Sequence, residues 1–416
     1  MKGFFNLVTS SRLQALLADL EPVAAETLPI DEVIGRVVAR DVFAGEDLPP
    51  FSRSTMDGFA VRARDSFGAS ESEPALFSVS GEVRMGEDGT GVCVRPGQAV
   101  RIWTGGQLPA GADAVVMLEY AREIGQDMIE VFRAVAPSEN IIERGQDYRK
   151  GEMVFPKGTR LRAQELGVLA GLGILEVEVR KQPLAVVIST GDELVPREES
   201  PPPGKIRDIN TTTISALCRA DGCRVFRMGI IPDSYEDMLD ACRKALEMEA
   251  DLVLVSGGSS VGNRDFTMKV FRDLEGSELL VHGVSIRPGK PTLVAKRGNA
   301  VLFGLPGHVG SAMVVYWLFV RHAISVLLGA DPEKGVIKAP AICSEHFPSV
   351  IGREDYVRVA LERSYTEEGK PVLMARPVHG KSGLISTLVR ADGLLVIPRD
   401  VEGYHGGEYG EVIIFP

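Results

Sequence analysis

The sequence predicts a multidomain protein of the α/β plus β class, and three observations predict it. Its 416 residues exceed the usual span of one domain, about 100–200 residues. Residues 179–329 alternate short apolar runs with helix-like patterns, as a parallel sheet covered by helices does. The flanking blocks 46–140 and 330–416 carry short β-type runs broken by Gly and Pro turns.

Taken in order, the chain opens with a helical pattern. Ser10 or Ser11 can cap residues 12–20, where Leu13, Leu16, Leu17 and Leu20 share one face and Pro22 ends the run. A second apolar pattern covers 33–42. Residues 141–178 hold Arg144-Gly-Gln-Asp-Tyr-Arg149, a Pro156-Lys-Gly158 turn and a helix pattern over 163–170. That texture differs from the β-rich block before it, so we expect 1–45 and 141–178 to form one discontinuous N-terminal domain. The β-rich second domain, 46–140, shows runs at 75–79, 92–94, 100–103, 114–118 and 128–135. Two of its loops stand out, one with Asp57-Gly58 and one with Thr104 before Gly105-Gly106. Each alone is compatible with ordinary turn chemistry.

The α/β domain, 179–329, offers strand-like runs at 184–188, 225–231, 252–255, 292–295 and 300–303. Asn210 can cap a helix over 211–220, and Ser234 with Asp237 resembles a capping box. The expectation is a three-layer domain with right-handed crossovers, whose ligands collect at the carboxyl ends of the strands. The apolar run 252–255 reads as a strand buried on both faces. Ser256, Gly257, Gly258 and Ser259 then bare the backbone, so an anion can approach the N–H groups. Asn263 can cap the next helix, with Asp265 at its mouth. Other strand ends carry Glu193, Asp233 and the Gly304-Leu-Pro306-Gly-His308 loop, and Arg287 and Lys290 precede another strand. Carboxylates beside basic groups suit a divalent metal shared with a phosphate. Residues 330–416 read as a small C-terminal β domain.

Composition narrows the function. A net charge of −11 argues against nonspecific nucleic-acid binding. The five cysteines show no metal spacing and read as reduced thiols in the cytoplasm. The start of the chain lacks a secretory pattern, and the nine apolar residues 312–320 are too few to cross a bilayer. Gly380-Lys381-Ser382 imitates the end of a P-loop, but Ala375 stands where its first glycine belongs and Pro377 breaks the loop.

Several motifs recur together in one order: Ser54-Thr-Met-Asp-Gly-Phe-Ala60, Arg101-Ile-Trp-Thr-Gly105, Ser189-Thr-Gly-Asp-Glu193, Ser256 through Asp265, Arg287-Pro-Gly-Lys-Pro291 and Gly304-Leu-Pro-Gly307. With these the chain closely resembles the molybdopterin molybdenumtransferases of the MoeA and gephyrin E-domain type, over essentially its whole length. The resemblance implies a homodimer whose active site lies between the α/β, molybdopterin-binding domain of one subunit and the β-rich domain of the other. It implies adenylylated molybdopterin and molybdate (or tungstate) as substrates, with Mg²⁺ present and AMP released. Asp57, Glu193, Asp233 and Asp265 match its acidic, catalytic and metal-holding positions. Thr104, the Ser256–Ser259 loop, Arg287, Lys290 and Pro306 match substrate-binding positions. Arg353 and Ser382 match positions of a molybdate pocket, and a tetrahedral oxyanion needs such donors. Partner proteins implied are a molybdopterin adenylyltransferase and apo-molybdoenzymes or their chaperones, with no nucleic acid and no membrane.

Three departures accompany the match. Val309-Gly310 follows His308 where the family often has proline and valine. Gly283 stands where some members have lysine, and Arg287 replaces a lysine with a planar fork. These leave two alternatives beside the transferase reading: a tungstate-preferring paralogue, and a non-catalytic molybdopterin carrier or scaffold. A hydrolase of nucleotide diphosphates built on the same α/β domain is a further one.

Overall fold

The computed structural model describes residues 7–257, 263–366 and 368–415, and their side chains except those of 263–265. Its centre is a six-stranded sheet in the order Arg224–Ile231, Leu184–Thr190, Leu252–Gly257, Ala300–Leu305, Leu293–Arg297 and Ser277–His282. The first four strands run parallel and the last two join antiparallel. Successive side chains alternate between the two faces. Ala185, Val187, Leu252, Leu254, Val301 and Phe303 bury with the helices Asn210–Ala220 and Val309–Val315. Val186, Ile188, Val253, Val255 and Leu302 bury with Tyr235–Glu247 and Asn263–Asp273 on the other face. The expected three layers follow from this double burial.

The apolar stretch near 312–320 belongs to a longer helix than the sequence suggested. Val309–Leu327 is helical for 19 residues, with a π turn at Tyr316–Val320. By length and composition it is long and apolar enough to cross a membrane, but two-thirds of it (67%) is buried. Its residues Ala312, Val315, Phe319, Ile324 and Leu327 lie in the same core as the sheet. The helix Ser10–Leu17, capped by Thr9 rather than Ser10, buries Leu13 and Leu17 in that core as well. Its leucines therefore pack on the α/β domain. Residues 141–178, with which the sequence reading grouped it, instead bury Val154, Leu161 and Leu169 with Val33, Val38 and Val42.

The β-rich block forms a second six-stranded sheet in the order Ala114–Met117, Gly58–Val61, Gln98–Ile102, Ala75–Val83, Met128–Val131 and Ala121–Ile124. The C-terminal strands form a third. Glu354–Tyr365 pairs with both Pro371–Pro377 and Gly393–Ile397, so this sheet closes on itself through Ile337–Cys343 and Tyr409–Ile414. Closure removes its free edges. One more strand joins it from outside: Ile286–Arg287, from the α/β domain, pairs with Glu354 and Asp355.

Gly257 sits where the central strand ends beside Thr190, at φ +142°. A Cβ there would meet the Thr190 carbonyl oxygen at 1.9 Å. Gly257→Ala is expected to cost about 1–3 kcal/mol from backbone strain alone, before the clash is relieved. Calorimetry should show a melting temperature lower by several degrees, and an unchanged one would refute this account of the glycine.

Candidate functional site

The carboxyl ends of the parallel strands form one wall of the site. Thr190 ends its strand and its hydroxyl donates to the Asp233 carboxylate on the next loop. The Asp233 N–H donates in turn to Asp192 Oδ1 at 3.3 Å. The Asp192 carboxylate thus holds the Asp233 backbone across adjoining strand ends. Glu193 is exposed beside them, and its carbonyl accepts from the Ile206 N–H at 2.8 Å.

Asn210 plays a part that the sequence reading missed. It was expected to cap the helix Asn210–Ala220, yet Asp208 does so, accepting from the Thr211 N–H at 3.1 Å. Asn210 is the first helical residue, and its side chain reaches across the strand ends. Its Nδ2 donates to Ser256 Oγ at 2.7 Å and to the Gly307 carbonyl at 2.8 Å. Its buried Oδ1 finds no partner among the described residues. One amide therefore ties the end of the strand Leu252–Gly257 to the loop after Ala300–Leu305. Capping and strutting use the same residue type, so sequence could not separate them. Ser256 and Gly257 lie at this point. Gly258 and Ser259 lie outside the described residues, as does the side chain of Asp265.

The second wall lies between the α/β domain and the C-terminal sheet. A cavity of about 610 Å³ is lined by Arg287, Lys290, Pro306, His308 and Arg353. A neighbouring cavity of about 750 Å³ is lined by Arg358, His379, Lys381 and Ser382. Arg287 and Pro288 line both. The sequence-predicted residues Arg287, Lys290, Pro306 and Arg353 are thus brought together, with Ser382 next door. Asp355, only 2% exposed, is the carboxylate at this junction. Arg353 Nε lies 2.9 Å from its Oδ1 and Arg287 Nη1 lies 3.5 Å from its Oδ2. A buried carboxylate needs such partners, and here it also orients two guanidinium groups.

Asp57 and Thr104 form a third element, on the β-rich sheet. Gly58 lets its strand pass Val116, since a Cβ there would meet the Val116 carbonyl oxygen at 1.9 Å. Asp57 consequently projects from the strand start, exposed, and accepts from Thr104 twice. The backbone N–H donates at 2.8 Å and the hydroxyl at 2.7 Å, both to Oδ1. Those two bonds, the backbone one foremost, hold the Asp57 carboxyl below the usual carboxylate range. Among the described residues, no three His, Cys, Asp or Glu side chains converge as metal ligands do. Asp57, Glu193 and Asp233 therefore do not form one metal cage within a chain. Asp233, held by the Thr190 hydroxyl, and the exposed Glu193 are nonetheless of the donor type that holds Mg²⁺, which one or two carboxylates bind together with waters and substrate phosphates.

A three-layer α/β domain is thus joined to a closed β domain, with a cationic cleft between them, in a multidomain chain. Residues 8–173 match the family region described as "MoeA N-terminal region (domain I and II)", 186–325 "Probable molybdopterin binding domain" and 340–415 "MoeA C-terminal region (domain IV)". A molybdopterin molybdenumtransferase from Bacillus subtilis is 34% identical, covering 94% of this chain and 89% of that protein. One from Staphylococcus epidermidis is 33% identical over 92% of this chain and 90% of its own length. The crystal structure of a molybdopterin biosynthesis MoeA protein from Pyrococcus horikoshii OT3 matches with a TM-score of 0.82 and 33% identity, over 99% of this chain and all of that one. The chain belongs to the MoeA-type molybdopterin molybdenumtransferase family.

Thr104→Val removes the hydroxyl donor to Asp57 and keeps the backbone N–H. Hydrogen bonds to the ionised form favour it, so the Asp57 titration should move upward while staying below that of a free carboxylate. Carboxyl ¹³C NMR of the two proteins checks this, and an unmoved titration would contradict the geometry.

Proposed function

We propose that this protein is a soluble cytoplasmic molybdopterin molybdenumtransferase that inserts molybdate into adenylylated molybdopterin and releases AMP. The observation that carries the reading is the cationic double cavity between the α/β domain and the C-terminal sheet, in a chain whose net charge is −11. Basic groups concentrated against that overall sign suit an oxyanion, and the carboxylates at the strand ends suit a metal-bound diphosphate.

In this reading the chain's own groups divide the work. Arg287, Lys290 and Arg353 clamp the molybdate dianion, and Ser382 adds a neutral donor from the C-terminal domain. Ser256, Gly257 and the loop beyond them receive the phosphates on backbone N–H groups. Asp233, Glu193 and Asp265 would hold Mg²⁺, which when bound neutralises charge on the diphosphate. Asp233 is oriented for this by the Thr190 hydroxyl. Asp57, fixed by Thr104, completes the site from the β-rich domain of a second copy, a reading supported by the fact that among the described residues it does not converge with Glu193 and Asp233. Site and homodimer are then one proposal.

AMP release from adenylylated molybdopterin, with molybdate, tungstate or neither, tests the function. Release should depend on an added oxyanion and fall at least a hundredfold in Asp233→Asn. Tight pterin binding without release would reverse the reading in favour of a carrier, and faster release with tungstate would assign that metal. Shared sites have a second signature. Mixing inactive Asp57→Asn and Asp233→Asn proteins should restore roughly a quarter of wild-type activity, since half the dimers would regain one intact site. No restoration after subunit exchange would remove the shared site.

A further inference from the structure

The loop carrying Ser382 is held from two sides. Within the C-terminal domain, Arg358 Nη2 donates to the Gly380 carbonyl at 2.7 Å, and Arg358 Nη1 donates to Thr387 Oγ1. From the α/β domain, the Gly310 N–H donates to the Ser382 carbonyl at 2.8 Å. A Cβ on residue 310 would lie 2.8 Å from that carbonyl oxygen, so glycine permits the approach. The hydroxyl of Ser382 lies 3.1 Å from His308 Nδ1. The departure at His308-Val309-Gly310 therefore coincides with the place where the two domains touch at the cavity wall.

A serine hydroxyl has one hydrogen to give. If Nδ1 is bare, that hydrogen goes to the imidazole and only lone pairs face an incoming anion. If Nδ1 carries a proton, the ring donates to Oγ and the hydroxyl hydrogen is left for the anion. An oxyanion accepts and does not donate, so it selects the second arrangement. The permanently charged groups lining the two cavities are mostly cations, Arg287, Lys290 and Arg353 in that of His308 and Arg358 and Lys381 in that of Ser382, where His379 also lies, 3.3 Å from the Glu345 carboxylate. Asp355 is the carboxylate there, and it is engaged by Arg287 and Arg353.

We propose that His308 is a positioning residue that donates from Nδ1 to Ser382 Oγ and so turns the serine hydroxyl hydrogen toward a tetrahedral oxyanion bound in the cleft. The proposal rests on the molybdate-binding reading of the cleft given above. His308 acts through Ser382 and does not itself touch the anion. Gly310 sets the distance over which it acts.

Calorimetric titration of the full-length protein with sodium molybdate tests this without pterin or turnover. His308→Ala should weaken molybdate binding roughly fivefold to tenfold, the scale of one ordinary hydrogen bond. His308→Asn, whose amide can still donate to Oγ, should recover most of the affinity. In a Ser382→Ala background, His308→Ala should have no further effect. Wild-type affinity in His308→Ala overturns the proposal, and so does an undiminished effect in the Ser382→Ala background. A wild-type protein that binds no molybdate at all fails the reading of the cleft itself, and the two failures are thereby distinct. Equal melting temperatures of the variants exclude a merely structural loss.

Discussion

The two-residue strand Ile286–Arg287 belongs by sequence to one domain and by hydrogen bonding to another. It pairs with Glu354 and Asp355 at the start of the longest strand of the closed sheet. The Glu354 N–H also donates to the Ser285 carbonyl at 3.0 Å. The same segment is braced from behind, where the Glu354 carboxylate accepts from Ser10 Oγ at 2.7–2.8 Å and from the Tyr356 hydroxyl at 2.7 Å. This shared ladder sets where Arg287 and Lys290 stand relative to Arg353. A cleft between domains joined only by side chains would leave that spacing to rotamers. Backbone pairing makes it a property of the fold.

Charge around the cleft is less simple than a tally of basic residues. Asp355 offsets one of the two arginine charges beside it, so the pair of guanidinium groups presents about one net positive charge plus fixed geometry. That is useful for a small dianion, since over-strong clamping of a substrate slows its transfer. The overall charge of −11 acts on a different scale. At physiological salt, fields decay over about 8 Å, so distant carboxylates influence the cleft weakly. The local set, Arg287, Lys290, Arg353, Arg358 and Lys381, decides the sign an anion meets.

The legible parts of the sequence were those with local causes. Buried parallel strands announce themselves as unbroken apolar runs, and 184–188, 252–255 and 300–303 lie within Leu184–Thr190, Leu252–Gly257 and Ala300–Leu305. Ser234 caps its helix as the local pattern demanded, accepting from the Asp237 N–H at 3.1 Å. What stayed hidden depends on partners far along the chain. The edge strand Ser277–His282 is short and only partly buried, so its pattern is weak. The leucine face of the first helix was evident, but its packing partner lies some 300 residues away. The Gly380-Lys381-Ser382 triplet was dismissed as a P-loop for sound local reasons. Only the fold shows that its serine meets His308, 74 positions earlier.

The loop after the strand Ala300–Leu305 connects these observations. Pro306 is buried, the Gly307 carbonyl is held by Asn210, and His308 and Gly310 engage Ser382. Asn210 also holds Ser256 at the end of the strand Leu252–Gly257. A continuous set of short hydrogen bonds therefore runs from Ser256 through Asn210 and Gly307 to the C-terminal domain. Under the proposed function its ends lie at different substrates, the pterin diphosphate and the oxyanion. Such a reaction requires the two to be held in register, because misplacing either by about 1 Å would forfeit much of the rate. The short loop 306–308 and the first turn of the helix after it, bonded at both ends, hold that register with little conformational freedom. The proline absent at Val309 is compatible with this role. Tertiary bonds at Gly307 and Gly310 restrain the backbone that a pyrrolidine ring would otherwise have stiffened.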